Sequence, residues 1–145
     1  MNSSWPICPD ANLVVQLLVT TRPDDPLLAL WQEWLETPAA LAAPSLLFYE
    51  VSNALRRYIS YGQLTPAEAD AALDAALNLG IATFNDATLH REALALAQEF
   101  GLPATYDAHY LALARRLGAT FWTADKRLYR SVTAQLDWVR LWPTP

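Results

Sequence analysis

A chain of 145 residues with 53% hydrophobic content is the size of one domain with a core of its own, so a single domain over residues 1–145 is expected. Its lone cysteine, Cys8, excludes an internal disulfide, a zinc knuckle and a redox pair, and the apolar stretch from Leu13 to Val19, interrupted by Gln16, is too short to cross a bilayer. The net charge of −5 argues against phosphate binding through surplus Lys and Arg, but neutralising four carboxylates with bound cations would bring it to −1, so overall charge decides little.

Trp5 to Asp10 reads as a short strand ended by Pro9 and Asp10, with Cys8 as a buried, inert thiol, and Leu13 to Val19 continues with helical character. Asp24, Asp25 and Pro26 signal a second helix, whose apolar residues, among them Trp31 and Trp34, recur every three or four positions until Pro38. That spacing places Trp31 and Trp34 in the core or in a dimer interface. Ala39 to Ala43 is the second apolar segment, and Pro44-Ser45 supplies a break and an N-cap for a long helix closed by Gly62. Thr65-Pro66-Ala67-Glu68 is a capping box for a helix that runs to Gly80. Ile81 to Phe84 is a third strand, Asp86 or Thr88 caps a helix to Phe100, and Thr105 caps another to Leu117. Ala119 to Trp122 forms a fourth strand, Thr123 starts a short helix through Tyr129, and Leu136 to Leu141 alternates like a closing edge strand. Strands alternating with helices over one domain predict an α/β fold, a mainly parallel sheet with helices on both faces.

Four acids fall where strands hand over to helices: Asp10, Glu50, Asp107 and Asp125. In an open parallel sheet the carboxyl ends of the strands and the facing helix N-termini border one crevice, so acids distant in sequence can converge there. Each one alone can be read as a helix cap or a partner of the helix dipole. Crowded together they repel, and a cation is needed to keep them ionised. Oxygen ligands without His or Cys suit Mg²⁺ or Mn²⁺ rather than zinc, and carboxylate-held cations suit phosphodiester hydrolysis.

Asp10-Ala11-Asn12, the run Pro44-Ser45-Leu46-Leu47-Phe48-Tyr49-Glu50-Val51-Ser52-Asn53-Ala54-Leu55-Arg56-Arg57, the run Tyr106-Asp107-Ala108-His109-Tyr110-Leu111-Ala112-Leu113-Ala114, and Trp122-Thr123-Ala124-Asp125-Lys126-Arg127-Leu128 resemble the four motifs of the PIN-domain family, in family order and across nearly the whole chain. The resemblance is strongest to the VapC-like toxins. It implies a three-layer α/β/α sandwich, a divalent metal, endonucleolytic cleavage of RNA, and usually a homodimer bound by a small antitoxin. By position, Asp10, Glu50, Asp107 and Asp125 are its metal-site acids, while Asn12 and Thr123 are polar residues beside them. The Thr123 hydroxyl either orients Asp125 or a metal-bound water, or caps the helix that follows. Pro9 departs from the pattern, which more often carries an aliphatic residue there, and a proline removes one ladder donor from a central strand.

Seven of the ten basic residues follow the site acids on the same helices: Arg56, Arg57, Arg115, Arg116, Lys126, Arg127 and Arg130. Lys126 and Arg127 are the first choices for phosphate contacts, with solvated helix charges as the alternative. Arg57 shares a helix face with Glu50 but lies about two turns away, beyond direct contact with a metal site. His90 and His109 lack metal-ligand spacing and read as structural or surface residues. The expectation is a cytoplasmic ribonuclease toxin with no membrane association. An RNA-processing housekeeping nuclease and a non-catalytic binding protein of the same fold are the alternatives. No Gly-rich loop follows the first strand, which sets aside a nucleotide-binding fold.

Overall fold

In the computed structural model, residues 6–37 and 40–145 are described; Trp5, Pro38 and Ala39, which bear on the first strand, the stop of the second helix and the start of the second strand, lie outside them. Five short strands alternate with seven helices in the described residues: β1 Ile7–Pro9, α1 Ala11–Val19, α2 Pro26–Glu36, β2 Ala42–Pro44, α3 Leu46–Ser60, α4 Pro66–Leu77, β3 Ala82–Phe84, α5 Ala87–Glu99, α6 Tyr106–Leu117, β4 Thr120–Thr123, α7 Lys126–Val132 and β5 Val139–Leu141. All pairings are parallel. β4 lies between β1 and β5, β2 pairs with β3, and a bridge between Ile7 and Leu41 joins the two groups into the order β3-β2-β1-β4-β5.

This order explains the three layers. The chain steps outward from β1 to β2 to β3 and then returns past β1 to β4. Right-handed crossovers therefore put the helices of the outward steps on one face and those of the return on the other. The packing agrees, for α1, α3 and α4 contact one another while α5 packs against α6, which lies along β1, β2 and β4. The direction reverses between β1 and β4, and the carboxyl ends of those two strands carry Asp10 and, just beyond β4, Asp125.

Pro9 turns out to sit where its missing donor is harmless. The Ile7 N–H donates to Ala40 O on the β2 side, whereas the Asp10 N–H donates to Trp122 O at 2.8 Å on the β4 side. Bonding alternates along a strand, so Pro9 faces β2. Pro44 faces the same seam, because its neighbour Ser45 donates to Phe84 O in β3. The next rungs of the β1–β2 ladder would need the N–H groups of two prolines, so that ladder ends at its single bridge while β1 remains paired with β4.

Several helix starts follow the local chemistry of their caps. Asp25 accepts from the Leu27 N–H, Asp86 rather than Thr88 accepts from the Leu89 N–H, and the Thr65–Glu68 box makes both its bonds, at 3.1 and 2.9 Å. Others depart from expectation. Ser45 and Thr105 are already helical in φ and ψ and make no side-chain capping bond. α1 begins at Ala11 rather than Leu13 because Asp10 caps it. α7 is capped by Asp125, which leaves Thr123 as the last residue of β4. β5 has three residues rather than six. Trp31 and Trp34 are buried in the core, edge to face with ring centroids 4.9 Å apart, which settles their role as packing. Cys8 is fully buried there too. No helix among the described residues is long and apolar enough to cross a membrane.

Candidate active site

The end of β1 and the end of β4 are tied together by side chains. Asp10 Oδ1 accepts from the Ala11 N–H at 2.8 Å, and Oδ2 accepts from the Thr123 hydroxyl at 2.7 Å. The Thr123 oxygen in turn accepts from the Asp125 N–H at 3.0 Å. Asn12 spans the same gap: its amide nitrogen lies 3.4 Å from both Asp10 Oδ2 and Thr123 Oγ1, and its oxygen accepts from the Ala124 N–H at 3.2 Å. Thr123, fully buried, thus holds two acids in register and does not start a helix. Asp125 takes both capping bonds of α7, from the N–H groups of Arg127 and Leu128, on Oδ1.

The other two acids come from helices on opposite faces of the sheet. Glu50 projects from α3 and Asp107 from the first turn of α6. The phenol of Tyr110, one helical turn after Asp107, donates to Glu50 Oε1 at 2.7 Å and so links the two helices across the site. All four acids line one cleft of about 380 Å³, together with Asn12, Gln16, Arg57 and Tyr58.

Electrostatics follow from this crowding. Burial, with the charges of Asp107 and Glu50 adding, pushes the Asp10 carboxyl up to about 7 against the opposing bonds from Thr123 and Ala11. Burial and the charges of Asp125 and Glu50 push Asp107 up to about 6. Burial raises Glu50 as well, opposed by the Tyr110 hydroxyl. The acids therefore hold charge at a cost that a proton or a cation would relieve. Their donor set consists of carboxylate oxygens alone, which fits a hard divalent cation. Among the described residues, however, no three His, Cys, Asp or Glu side chains stand together as a ready metal cage. The acids share a cleft and would have to draw inward around a cation. Cys8 offers no nucleophile, since burial first and then Asp10 raise its thiol far above the usual range.

The basic residues are arranged differently from the sequence expectation. Lys126 and Arg127 are exposed at the start of α7 and do not line the cleft, whereas Arg57 does. Glu50, Ala54 and Arg57 lie on one face of α3, so Arg57 borders the cleft two turns along from the acid without pairing with it. Gln16 and Tyr110 are further residues of the site that motif matching passed over. Both had a signal: Gln16 breaks an apolar run four residues after Asn12, and Tyr110 shares the face of Asp107. His90 and His109 stay outside the acid cleft and pair with each other, ring nitrogens 2.8 Å apart.

The PIN domain family model matches residues 7–132. Among solved structures, the chain is similar to the Pyrobaculum aerophilum protein PAE2754, with a TM-score of 0.67 and 24% identity over 92% of this chain and 89% of that one. It is also similar to a chain of a toxin–antitoxin complex from Klebsiella pneumoniae, with a TM-score of 0.63 and 20% identity over 92% of this chain and 94% of that one. Identities this low speak for the shared fold. A search of curated protein sequences gave no significant match.

Proposed function

Because the chain belongs to the PIN domain family, whose members are generally nucleases that use divalent metals, we propose that it is a divalent-metal-dependent endoribonuclease. One observation carries this reading: Asp10, Glu50, Asp107 and Asp125, drawn from four separate parts of the chain, line a single cleft at the strand ends. Those four acids would hold Mg²⁺ or Mn²⁺. When bound, the cation offsets their mutual repulsion and supplies Lewis acidity for attack of water on a phosphodiester.

The chain's own residues prepare that chemistry. Thr123 and Asn12 keep Asp10 aligned with the segment that carries Asp125, and Tyr110 fixes one oxygen of Glu50 so that the other is presented to the cleft. Arg57 supplies positive charge at the cleft wall, where a backbone phosphate flanking the scissile bond would lie. The finer reading is a toxin of a type II toxin–antitoxin pair, cytoplasmic, homodimeric and bound by a small antitoxin. The toxin–antitoxin complex among the structural neighbours supports the antitoxin partner of that reading.

RNA cleavage in Mg²⁺ or Mn²⁺ is expected for the wild type and lost in EDTA, and lost also in Asp10→Asn and Asp107→Asn with folding intact. Full activity in both variants would remove the site assignment. Growth arrest on expression, relieved by a neighbouring small protein, separates the toxin from a housekeeping nuclease. The spacing of the acids favours one second reading, a binding protein that keeps an acidic cleft for an Arg-bearing partner. Calorimetric titration with Mn²⁺ distinguishes the two, since that protein would take up no metal.

A further inference from the structure

A second pocket adjoins the acid cleft and shares two of its walls. In α3 and in α6 an exposed tyrosine immediately precedes a site acid, Tyr49 before Glu50 and Tyr106 before Asp107. Successive helical residues point about 100° apart, so each pair divides its side chains between neighbouring sites. Glu50 and Asp107 line the cleft, while Tyr49 and Tyr106 line a separate pocket of about 280 Å³ at the carboxyl ends of β2 and β3. The two tyrosines are 73% and 62% exposed, which leaves aromatic surface open to water on a small domain.

The chemistry of this pocket is distinctive. Phe84, Leu46 and Leu89 supply further apolar surface, and no Asp, Glu, Lys or Arg is among its lining residues. Its polar groups are directional and held in place. His109 Nδ1 lies 2.6 Å from the Thr105 carbonyl and therefore donates to it, which leaves Nε2 to accept from His90 Nδ1 at 2.8 Å. The Thr105 carbonyl, His109 and His90 are thus bonded in a chain of three groups that fixes both rings at the pocket wall, with Asn85 Oδ1 3.2 Å from His90 Nε2. Such a site suits a flat, uncharged ring with hydrogen-bonding edges, and its volume is at the small end for ligand pockets, enough for one ring system. Single-stranded RNA presents such rings one nucleotide from any phosphate, and its bases stack on exposed aromatic side chains.

We propose that this pocket is a nucleobase subsite, in which Tyr49 and Tyr106 stack a base of the RNA strand whose backbone enters the acid cleft while the Asn85 amide, beside the paired His90 and His109 rings, reads its edge. The choice of ligand rests on the ribonuclease reading, but binding can be tested without catalysis. Both histidines of the chain lie in this pocket, so their imidazole C–H resonances report on it alone. Titration of the full chain in EDTA with adenosine and uridine, which carry no phosphate for the acids to repel, is expected to shift both histidine signals. In Tyr106→Ala the affinity should fall at least five-fold, as expected for loss of one stacking partner. Tyr49→Ala should behave likewise, and both variants should raise KM for a short RNA. Histidine signals that move with nucleoside while no RNA is cleaved would support the subsite and overturn only the nuclease. Signals unmoved by millimolar nucleoside, or moved equally in wild type and Tyr106→Ala, would overturn the subsite. So would unmoved signals in a dimer that Tyr106→Ala dissociates in sedimentation, which would assign the pocket to contact between copies.

Discussion

Replacing Asp10 with Asn is expected to make the metal-free protein more stable as it destroys activity. Asp10 is 6% exposed and its carboxyl is pushed from 3.8 to about 7. An acid with a raised folded pKa destabilises the fold once it is ionised: nothing is lost below the unfolded value near 4, the penalty grows between pH 4 and about 7, and it is complete above that. At about 1.4 kcal/mol for each pH unit, the full penalty is about 4 kcal/mol. Asn keeps an oxygen for the Ala11 N–H but presents its amide donors toward the Thr123 hydroxyl and the Asn12 amide, at a cost of about 1 to 2 kcal/mol. The net gain of about 2 to 3 kcal/mol corresponds to a Tm higher by roughly 5 to 10 °C at pH 8 in EDTA. Thermal unfolding of both proteins from pH 4 to pH 8 gives the test. The gap should open with pH and narrow when Mg²⁺ is added, since the cation stabilises only the protein that binds it. A variant less stable than wild type at pH 8 in EDTA, or a gap that does not change between pH 5 and pH 8, would refute the account of Asp10 as a strained acid.

Tyr110→Phe removes only the hydroxyl that donates to Glu50, so the fold should survive while Mn²⁺ affinity, measured by calorimetry, drops about ten-fold or more. Arg57→Gln should raise KM for RNA and reduce the slope of log affinity against log salt by about one, whereas Lys126→Gln, outside the cleft, should leave KM nearly unchanged; equal effects would remove Arg57 from the substrate path. Asp86 caps α5 and pairs with Arg116 at 2.8 Å, and the Arg116 hydrogen bonds above all hold its carboxyl at about 2. The stability it contributes is present above the unfolded value near 4 and lost as pH falls toward 2, so Asp86→Ala should lower Tm at pH 6 by more than at pH 2.

Much of this molecule was legible along the chain because its signals are local. A capping box such as Thr65–Glu68 and an apolar stripe such as that bearing Trp31 and Trp34 act over three to four residues, a range that sequence spacing describes completely. The four acids were legible for the same reason, as each marks a local hand-over from strand to helix or a first turn. What they do together was decided at long range. Thr123 reads locally as a helix start, and only the pairing of β4 with β1 puts its hydroxyl beneath Asp10, 113 residues away in sequence. Pro9 looks like a defect until Pro44 is found on the other side of the same seam. Tyr110 reaches Glu50 across 60 residues, and Arg57 rather than Lys126 reaches the cleft because of how α3 lies over the sheet. Periodicity and caps state which way a side chain leaves its own helix or strand; what it meets depends on the order in which strands pair and on which face each crossover passes, and those are properties of the packed whole.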